Sequence, residues 1–416
     1  MDFKSEIEKI GKQSLKAARQ LTAFSTAKKN NVLEAMADAL AAAAEEIKEA
    51  NKIDLEAGEK SGLNAAMLDR LCLDDERIDG MVKGLRDLAG LEDPVGKIDS
   101  SFHRPNGLII EKIRVPIGVI GIIYESRPNV TVDAAGLCLK AGNPVILRGG
   151  SEAIHSNRKL AEIMQKAGVE AGLPEGAVTL IPWTEREAVT ELIRLDKYIH
   201  LIIPRGGESL IRFVSQNATI PVIKHYKGVC HLYVDKDANL QDALAVADNA
   251  KRQRPGVCNA METLLVHREV AKEFLTELEA LFTDVELRGD EAVCKLVSSA
   301  IPATEEDWSA EYLELILAVK VVDSVDEAID HINDYGSGHS DAIMTCDKQA
   351  QRDFKLRVDS SSVYVNASTR FTDGSVFGMG AEIGISTDRL HARGPMGLEE
   401  LTTYKYVISG NGQTRD

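Results

Sequence analysis

The sequence predicts an α/β protein made of two parallel-sheet units and a smaller β arm. Three observations point there. Short apolar strands alternate with helix-length segments from Gly118 to about Ser209. A second α/β stretch runs from about Arg254 to Asn366, and isolated β-like segments occur at Leu108–Val115 and Leu401–Ile408. Strands alternating with helices of this length require parallel pairing through right-handed crossovers. A chain of 416 residues also exceeds one ordinary hydrophobic core, so two or three units are expected.

Residues 3–60 read as helical, with Ala, Lys and Glu dominating Thr26–Lys60. Pro94-Val95-Gly96 and Pro105-Asn106-Gly107 then punctuate the change to β-type sequence. Leu108–Val115 alternates like a half-exposed strand, whereas Gly118–Tyr124 is almost wholly apolar, like a strand buried on both faces. A helix over Val130–Ala141, a strand over Pro144–Leu147, the turn Arg148-Gly-Gly-Ser and a helix to about Gly168 follow. Val178–Ile181 reads as a strand, Arg186–Leu195 as a helix, and His200–Ile203 as a strand entering Pro204-Arg-Gly-Gly-Glu-Ser. The second stretch has apolar runs at Leu264–His267 and Leu315–Val322. The last β-like segment, Leu401–Ile408, is suited to pair with Leu108–Val115 or with a neighbouring subunit.

Hydrophobic residues make up 44% and charged residues 27%, the balance of a folded chain. The formal charge, 49 − 65 = −16, argues against nucleic acid or an anionic membrane as the main partner. No apolar run approaches the roughly 18–20 residues needed to span a bilayer. The first residues, mixed in charge, lack an apolar signal core, so a cytoplasmic location is expected. The six cysteines are scattered with no Cys-x-x-Cys pair, which suggests neither a zinc framework nor a disulfide scaffold, but thiols in a reducing compartment.

Cys258 stands in Arg252-Gln-Arg-Pro-Gly-Val-Cys-Asn-Ala, where Pro255-Gly256 forces a turn. Lys251, Arg252 and Arg254 would favour the reactive thiolate if they face it. Asn259 and nearby backbone amides are suited to steady an oxyanion. A small buried cysteine is the ordinary alternative. Cys138 lies on an apolar helix face, and Cys72, Cys230, Cys294 and Cys346 have no polar constellation, so all five read as structural. The turns at Arg148-Gly149-Gly150-Ser151 and Arg205-Gly206-Gly207 place amides at helix N-termini, where phosphate binds well. Neither matches Gly-x-Gly-x-x-Gly, and a tight turn without a ligand is the bland reading. After the buried strand, Arg127 is suited to an anion and Asn129 to a carbonyl oxygen or to capping the next helix. A late glycine-rich region carries His391 and Arg393.

Several longer stretches are more specific: Tyr124-Glu-Ser-Arg-Pro-Asn-Val-Thr-Val-Asp-Ala134, Ile146-Leu-Arg-Gly-Gly-Ser-Glu-Ala153, Ile203-Pro-Arg-Gly-Gly207, Ala381-Glu-Ile-Gly-Ile-Ser-Thr387 and His391-Ala-Arg-Gly-Pro-Met-Gly-Leu398. With these, essentially the whole chain resembles the γ-glutamyl phosphate reductases of the aldehyde dehydrogenase superfamily. The resemblance implies an aldehyde-dehydrogenase-like fold. Residues 1–99, 118–253 and 367–394 would form a Rossmann-like cofactor domain, 254–366 a catalytic domain, and 100–117 with 395–416 an oligomerisation arm. It implies NADPH-dependent reduction of L-γ-glutamyl 5-phosphate to L-glutamate 5-semialdehyde with release of phosphate, in proline biosynthesis. A homo-oligomer, a functional association with glutamate 5-kinase and no bound metal belong to the same expectation.

By the same resemblance Cys258 is the nucleophile, and Asn129 stands in for the oxyanion asparagine. Arg148 takes the place of a lysine on the cofactor ribose, with Gly149, Arg205, Gly206 and Gly207 on the cofactor. Ser151 replaces a glutamate that would repel a 2′-phosphate, which favours NADP, although Glu152 is adjacent. Glu311 matches the glutamate on the nicotinamide ribose; Arg127, His391 and Arg393 are candidates for the substrate's charged ends. The water-activating glutamate of aldehyde oxidisers, expected shortly before Gly228, is missing: Lys224-His-Tyr-Lys227 stands there. An enzyme that reduces its thioester needs no such base. The nearest rival readings are a CoA-acylating aldehyde dehydrogenase of the same fold and a non-catalytic ligand-binding protein.

Overall fold

The computed structural model describes residues 2–415. They divide into two compact units, one of residues 1–224, 379–384 and 396–416, the other of residues 225–378 and 385–395.

The first unit opens with the helices Phe3–Leu21, Thr26–Ala42, Ala44–Lys60, Ala65–Leu71 and Asp75–Gly90. Their starts are set locally: Asp2, Ser25, Asn64 and Asp74 each accept an amide of the first turn through the side chain. Its sheet has four parallel strands in the spatial order Val178–Leu180, Val145–Gly149, Ile120–Tyr124, Leu201–Arg205. The central pair is buried on both faces, as its apolar sequence requires. Gly121 allows the close fit there, since a Cβ on it would stand 2.5 Å from Ile202 Cδ1. One buried carboxylate ties the helices to the strand ends. Asp54 accepts the Ser156 amide at 2.8 Å, the Ser156 hydroxyl at 2.7 Å and His155 Nδ1 at 2.8 Å, and so caps the helix Ile154–Glu170.

The arm is a three-stranded antiparallel sheet in the order Ile98–His103, Ile109–Pro116, Thr402–Ser409. The last strand runs from Thr402 opposite Pro116 to Ser409 opposite Ile109, so the pairing that the sequence left open is made within the chain.

The second unit holds a seven-stranded, all-parallel sheet. Its order is Ile301–Pro302, Glu286–Gly289, Ile316–Val322, Met261–His267, Cys230–Val234, Ser340–Met344, Ser362–Val365. The expected boundary near residue 254 therefore moves to 224/225. The strand Cys230–Val234, expected in the cofactor domain, pairs between Met261–His267 and Ser340–Met344. Its polar residue, His231, is fully buried because Asp341 accepts both its amide (2.7 Å) and its Nδ1 (3.0 Å). The segment 367–394 also divides: only 379–384 belongs to the first unit, and Ile385–Ser386 pairs with Gly394–Pro395 in the second.

Candidate active site

Cys258 lies three residues before the strand Met261–His267, half-buried, at the N-terminal edge of the seven-stranded sheet. Gly228 lies two residues before the neighbouring strand Cys230–Val234, at the same edge. A Cβ on Gly228 would stand 2.0 Å from the Cys258 carbonyl oxygen and 2.5 Å from its Cα, so only glycine fits against the Cys258 backbone. The Gly228 amide donates to Glu311 Oε1 at 2.7 Å. Behind the loop, the Cys230 thiol donates to the Cys258 carbonyl at 3.2 Å. Burial pushes the Cys230 thiol well up, which leaves it an inert support. Cys138 is likewise fully buried and its thiol is held up by burial.

The charges expected around the thiol are arranged differently. Lys251 is fully buried with Glu262, Nζ to Oε2 2.5 Å. Arg252 pairs with Asp248 at 2.7 Å and Asp284 at 3.0 Å. Arg254 alone of the three stays clear of an internal carboxylate, and a more distant residue joins it. Arg370 lies over the Cys258 loop, donating from Nε to Gln253 Oε1 at 2.9 Å and from Nη1 to Asn259 Oδ1. Burial, and then repulsion by Arg254, make Arg370 easier to deprotonate than usual, while attraction to Cys258 works the other way. Asn259 is not free to steady an oxyanion through its side chain. Its Nδ2 donates to the Thr372 carbonyl at 2.8 Å, and the residue is 6% exposed.

Glu262 also accepts the Leu313 amide at 3.1 Å. Burial raises its pKa to about 7, against the opposing pull of Lys251, whose own pKa is lowered chiefly by burial. Lys251, Glu262 and Leu313 thus join the end of one helix, the strand after Cys258 and the loop carrying Glu311.

A cavity of about 420 Å³ opens in the same unit, lined in part by Ser337, Ser360, Asp359, Arg389 and Arg393. Ser337 Oγ accepts the amide of Val229, next to Gly228, at 2.9 Å. Arg393 donates to Asp359 Oδ1 at 2.7 Å, and Arg389 pairs with the same carboxylate. Asp359 is held below the usual carboxylate range, chiefly by Arg393. His391 is exposed and does not line this cavity.

Apart from Glu311, the cofactor candidates lie in the first unit, where three adjacent strands end at Tyr124, Gly149 and Arg205. Arg148 is 9% exposed, gives Nη2 to the Thr184 carbonyl at 2.6 Å, and keeps a buried Nε with no partner among the described residues. Ser151 lies in a cleft of about 530 Å³ together with Asp54, Glu125, Ser126, Glu152 and His155. Ser126 points its amide and hydroxyl at Glu152. The Gly207 amide donates to Glu125 Oε2 at 2.9 Å, so this turn's anion-binding group is already held by a side chain. A Cβ on Gly149 would lie 2.1 Å from Asn157 Nδ2, and one on Gly384 2.5 Å from Arg205 Nη1. Arg127 is exposed. Asn129 starts the helix Val130–Lys140 without capping it through its side chain; its Nδ2 donates to Asp133 Oδ2 at 2.8 Å. An unpartnered buried guanidinium nitrogen beside a strand-end cleft fits a polar cofactor group.

Arg370, Glu262 and Cys230 were not singled out by sequence. Arg370 is 112 residues from Cys258, in Ala-Ser-Thr-Arg-Phe; small polar residues after a strand were its one available signal.

The aldehyde dehydrogenase family profile matches residues 3–314. The γ-glutamyl phosphate reductases of Geobacter metallireducens and Moorella thermoacetica are each 56% identical over 417 aligned positions, covering all of both chains. The crystal structure of γ-glutamyl phosphate reductase from Thermotoga maritima is similar with a TM-score of 0.97 at 49% identity, covering 99% of this chain and 100% of that one. An acetylating aldehyde dehydrogenase from Geobacillus thermoglucosidasius shares the fold alone, at 18% identity and a TM-score of 0.69. A half-buried cysteine at a sheet edge and full-length similarity converge: the chain is an oxidoreductase of the aldehyde dehydrogenase family and belongs to its γ-glutamyl phosphate reductases.

Proposed function

We propose that the chain reduces L-γ-glutamyl 5-phosphate to L-glutamate 5-semialdehyde in the cytoplasm, as a step of proline biosynthesis, with NADPH as reductant and Cys258 as nucleophile. The observation that carries this reading is the half-buried Cys258, pinned by Gly228 and Cys230 at a sheet edge and flanked by two arginines. The thiolate attacks the γ-carbonyl carbon, and phosphate leaves with the C–O bonding pair. Covalent capture divides one difficult displacement into two easier steps. The nicotinamide cofactor, when bound, supplies the hydride that turns the thioester into a thiohemiacetal. Collapse of that adduct frees the aldehyde and restores the thiol.

The chain's own part is positional and electrostatic. Glu311 and Gly228 hold the loop opposite Cys258, and Arg370, drawn toward Cys258, favours the thiolate. The sequence before Gly228 offers no carboxylate to activate water, which suits an enzyme whose thioester must survive until reduced. Ser151 in place of a carboxylate, and Glu152 engaged by Ser126, support NADPH over NADH. Arg148, Gly149, Arg205, Gly206 and Gly207 are the groups proposed to hold the cofactor on the first unit, and Arg393, Arg127 and His391 remain the proposed contacts for the substrate's charged ends. Asn129 is retained as the proposed oxyanion donor. The arm exposes Phe102, Tyr404, Tyr406 and Ile408, each about half exposed, which supports self-association into a homo-oligomer.

The test is the reverse reaction with purified protein, NADP⁺, glutamate semialdehyde and phosphate, each omitted in turn. Reduction of NADP⁺ should require all three. Cys258→Ala should lose turnover by at least about 10³-fold while NADPH binding, followed by its fluorescence, persists. Phosphate-independent turnover, or an active alanine variant, removes the reading.

A further inference from the structure

We propose that Arg370, with Arg254 beside it, is the seat of the phosphate group that leaves the acyl carbon. This rests on the reductase reading above and names the group that reads its leaving anion. Two guanidiniums stand at one loop. Arg254 is four residues before Cys258, exposed, and among the described residues has no hydrogen-bond or ion-pair partner. Arg370 is half-buried and is fixed by two hydrogen bonds to Gln253 and Asn259, the latter adjacent to the nucleophile. Those bonds use Nε and Nη1; Nη2 has no partner among the described residues.

Asn259, in turn, is locked by the Thr372 carbonyl at 2.8 Å and by the Thr369 hydroxyl, which donates to its backbone carbonyl at 2.7 Å. The guanidinium is therefore held in place before any ligand arrives. The two like charges repel each other, and both Cys258 and Asp373 attract Arg370. Asp373 is itself engaged with the amides of Ser375 at 2.9 Å and Val376 at 3.2 Å, which leaves the arginine pair short of negative charge. A pair of cations set around a nucleophilic sulfur, with one planar fork pre-oriented, is the arrangement that stabilises a departing phosphate dianion.

The choice of phosphate over the α-carboxylate follows from connectivity. The phosphate is joined through one oxygen to the carbon that sulfur attacks, whereas three carbons separate the α-carboxylate from it. As the S–C bond forms and the C–O bond breaks, the bonding pair goes to the phosphate oxygen. The extra charge is met by the guanidiniums, and a proton from solvent completes hydrogen phosphate. In reverse, the same pair would concentrate phosphate for attack on the thioester.

The test uses the whole enzyme in the reverse direction, with Arg254→Gln and Arg370→Lys. Both variants should raise the KM for phosphate by roughly 10-fold or more, the scale of one lost charged hydrogen bond, with the KM for semialdehyde within about 2-fold of wild type. Arsenate in place of phosphate should show the same loss. A second readout needs no turnover: inorganic phosphate should slow alkylation of Cys258 by iodoacetamide in the wild type, and do so much less in Arg254→Gln, which alters no internal contact. An unchanged phosphate KM, a change confined to the semialdehyde KM, or equal phosphate protection in wild type and variant overturns the assignment. Wild-type turnover that needs no phosphate would instead remove the reductase reading itself.

Discussion

Gly228 presses on Cys258 closely enough that a single added methyl group would meet the Cys258 carbonyl oxygen at 2.0 Å. The obstacle is backbone on both sides, so no side-chain rotation relieves it. Gly228→Ala should therefore shift the Cys258 loop rather than unfold the unit. Turnover is expected to fall by about 10²-fold or more, the cost of misplacing a reacting group by an ångström. The fall should appear in kcat, with far-UV circular dichroism unchanged; full activity in a folded variant would contradict it.

Glu262 and Lys251 form a buried pair whose worth depends on both members. Glu262→Gln leaves a buried ammonium without its counter-charge and should cost about 3–5 kcal/mol in urea unfolding. The double variant Lys251→Met with Glu262→Met should be much closer to wild type in stability. It would still lack the acceptor for the Leu313 amide, so activity should remain low while stability returns. Equal losses in the single and double variants would show that the pair is not coupled.

His331 is 4% exposed and neither ring nitrogen has a hydrogen-bond partner among the described residues. Burial holds its pKa down at about 3, against an ordinary 6.5. The sign follows directly. Below pH 6.5 the unfolded chain binds a proton that the folded one refuses, so the stability present above pH 6.5 is lost as pH falls toward 3. Each pH unit in that window costs about 1.4 kcal/mol for such a group. His331→Phe keeps an aromatic ring against Trp308 and Tyr335 and removes the titration. Its stability should decline less between pH 7 and pH 5, by about 2 kcal/mol, in urea titrations; an unaltered slope would count against the assignment.

Ser151 is the residue proposed to spare a cofactor 2′-phosphate the repulsion of a carboxylate. Ser151→Glu should lower the ratio of kcat/KM for NADPH over NADH by roughly 10-fold or more, since apposed like charges cost several kcal/mol. Comparing the two cofactors in the same preparation separates this from general loss of activity. An unchanged ratio would place the 2′-phosphate away from residue 151.

The strands and helices of the first unit were legible because their apolar runs have the length and flanking turns of buried parallel strands. Gly118–Tyr124 is the plainest instance, and its strand is buried throughout. The strand Cys230–Val234 was hidden by His231, whose ring is bonded by Asp341, 110 residues away. The loop position of Cys258 was legible through its turn, but the groups packed around it were not. Arg370 reaches the loop from 111 residues beyond Asn259, and no local pattern announces a contact of that span. Lys251 illustrates the opposite error: adjacent in sequence to the reactive loop, it spends its charge on Glu262 instead.

The central strand of the arm, Ile109–Pro116, has a local neighbour on one side but receives its other from the final residues of the chain. During synthesis that second edge must wait, with its amides and carbonyls unmatched, until Thr402–Ser409 has left the ribosome. An emerging chain thus carries a sticky ribbon edge while residues 117–401 are made, the sort of surface on which nascent proteins clump or draw chaperones.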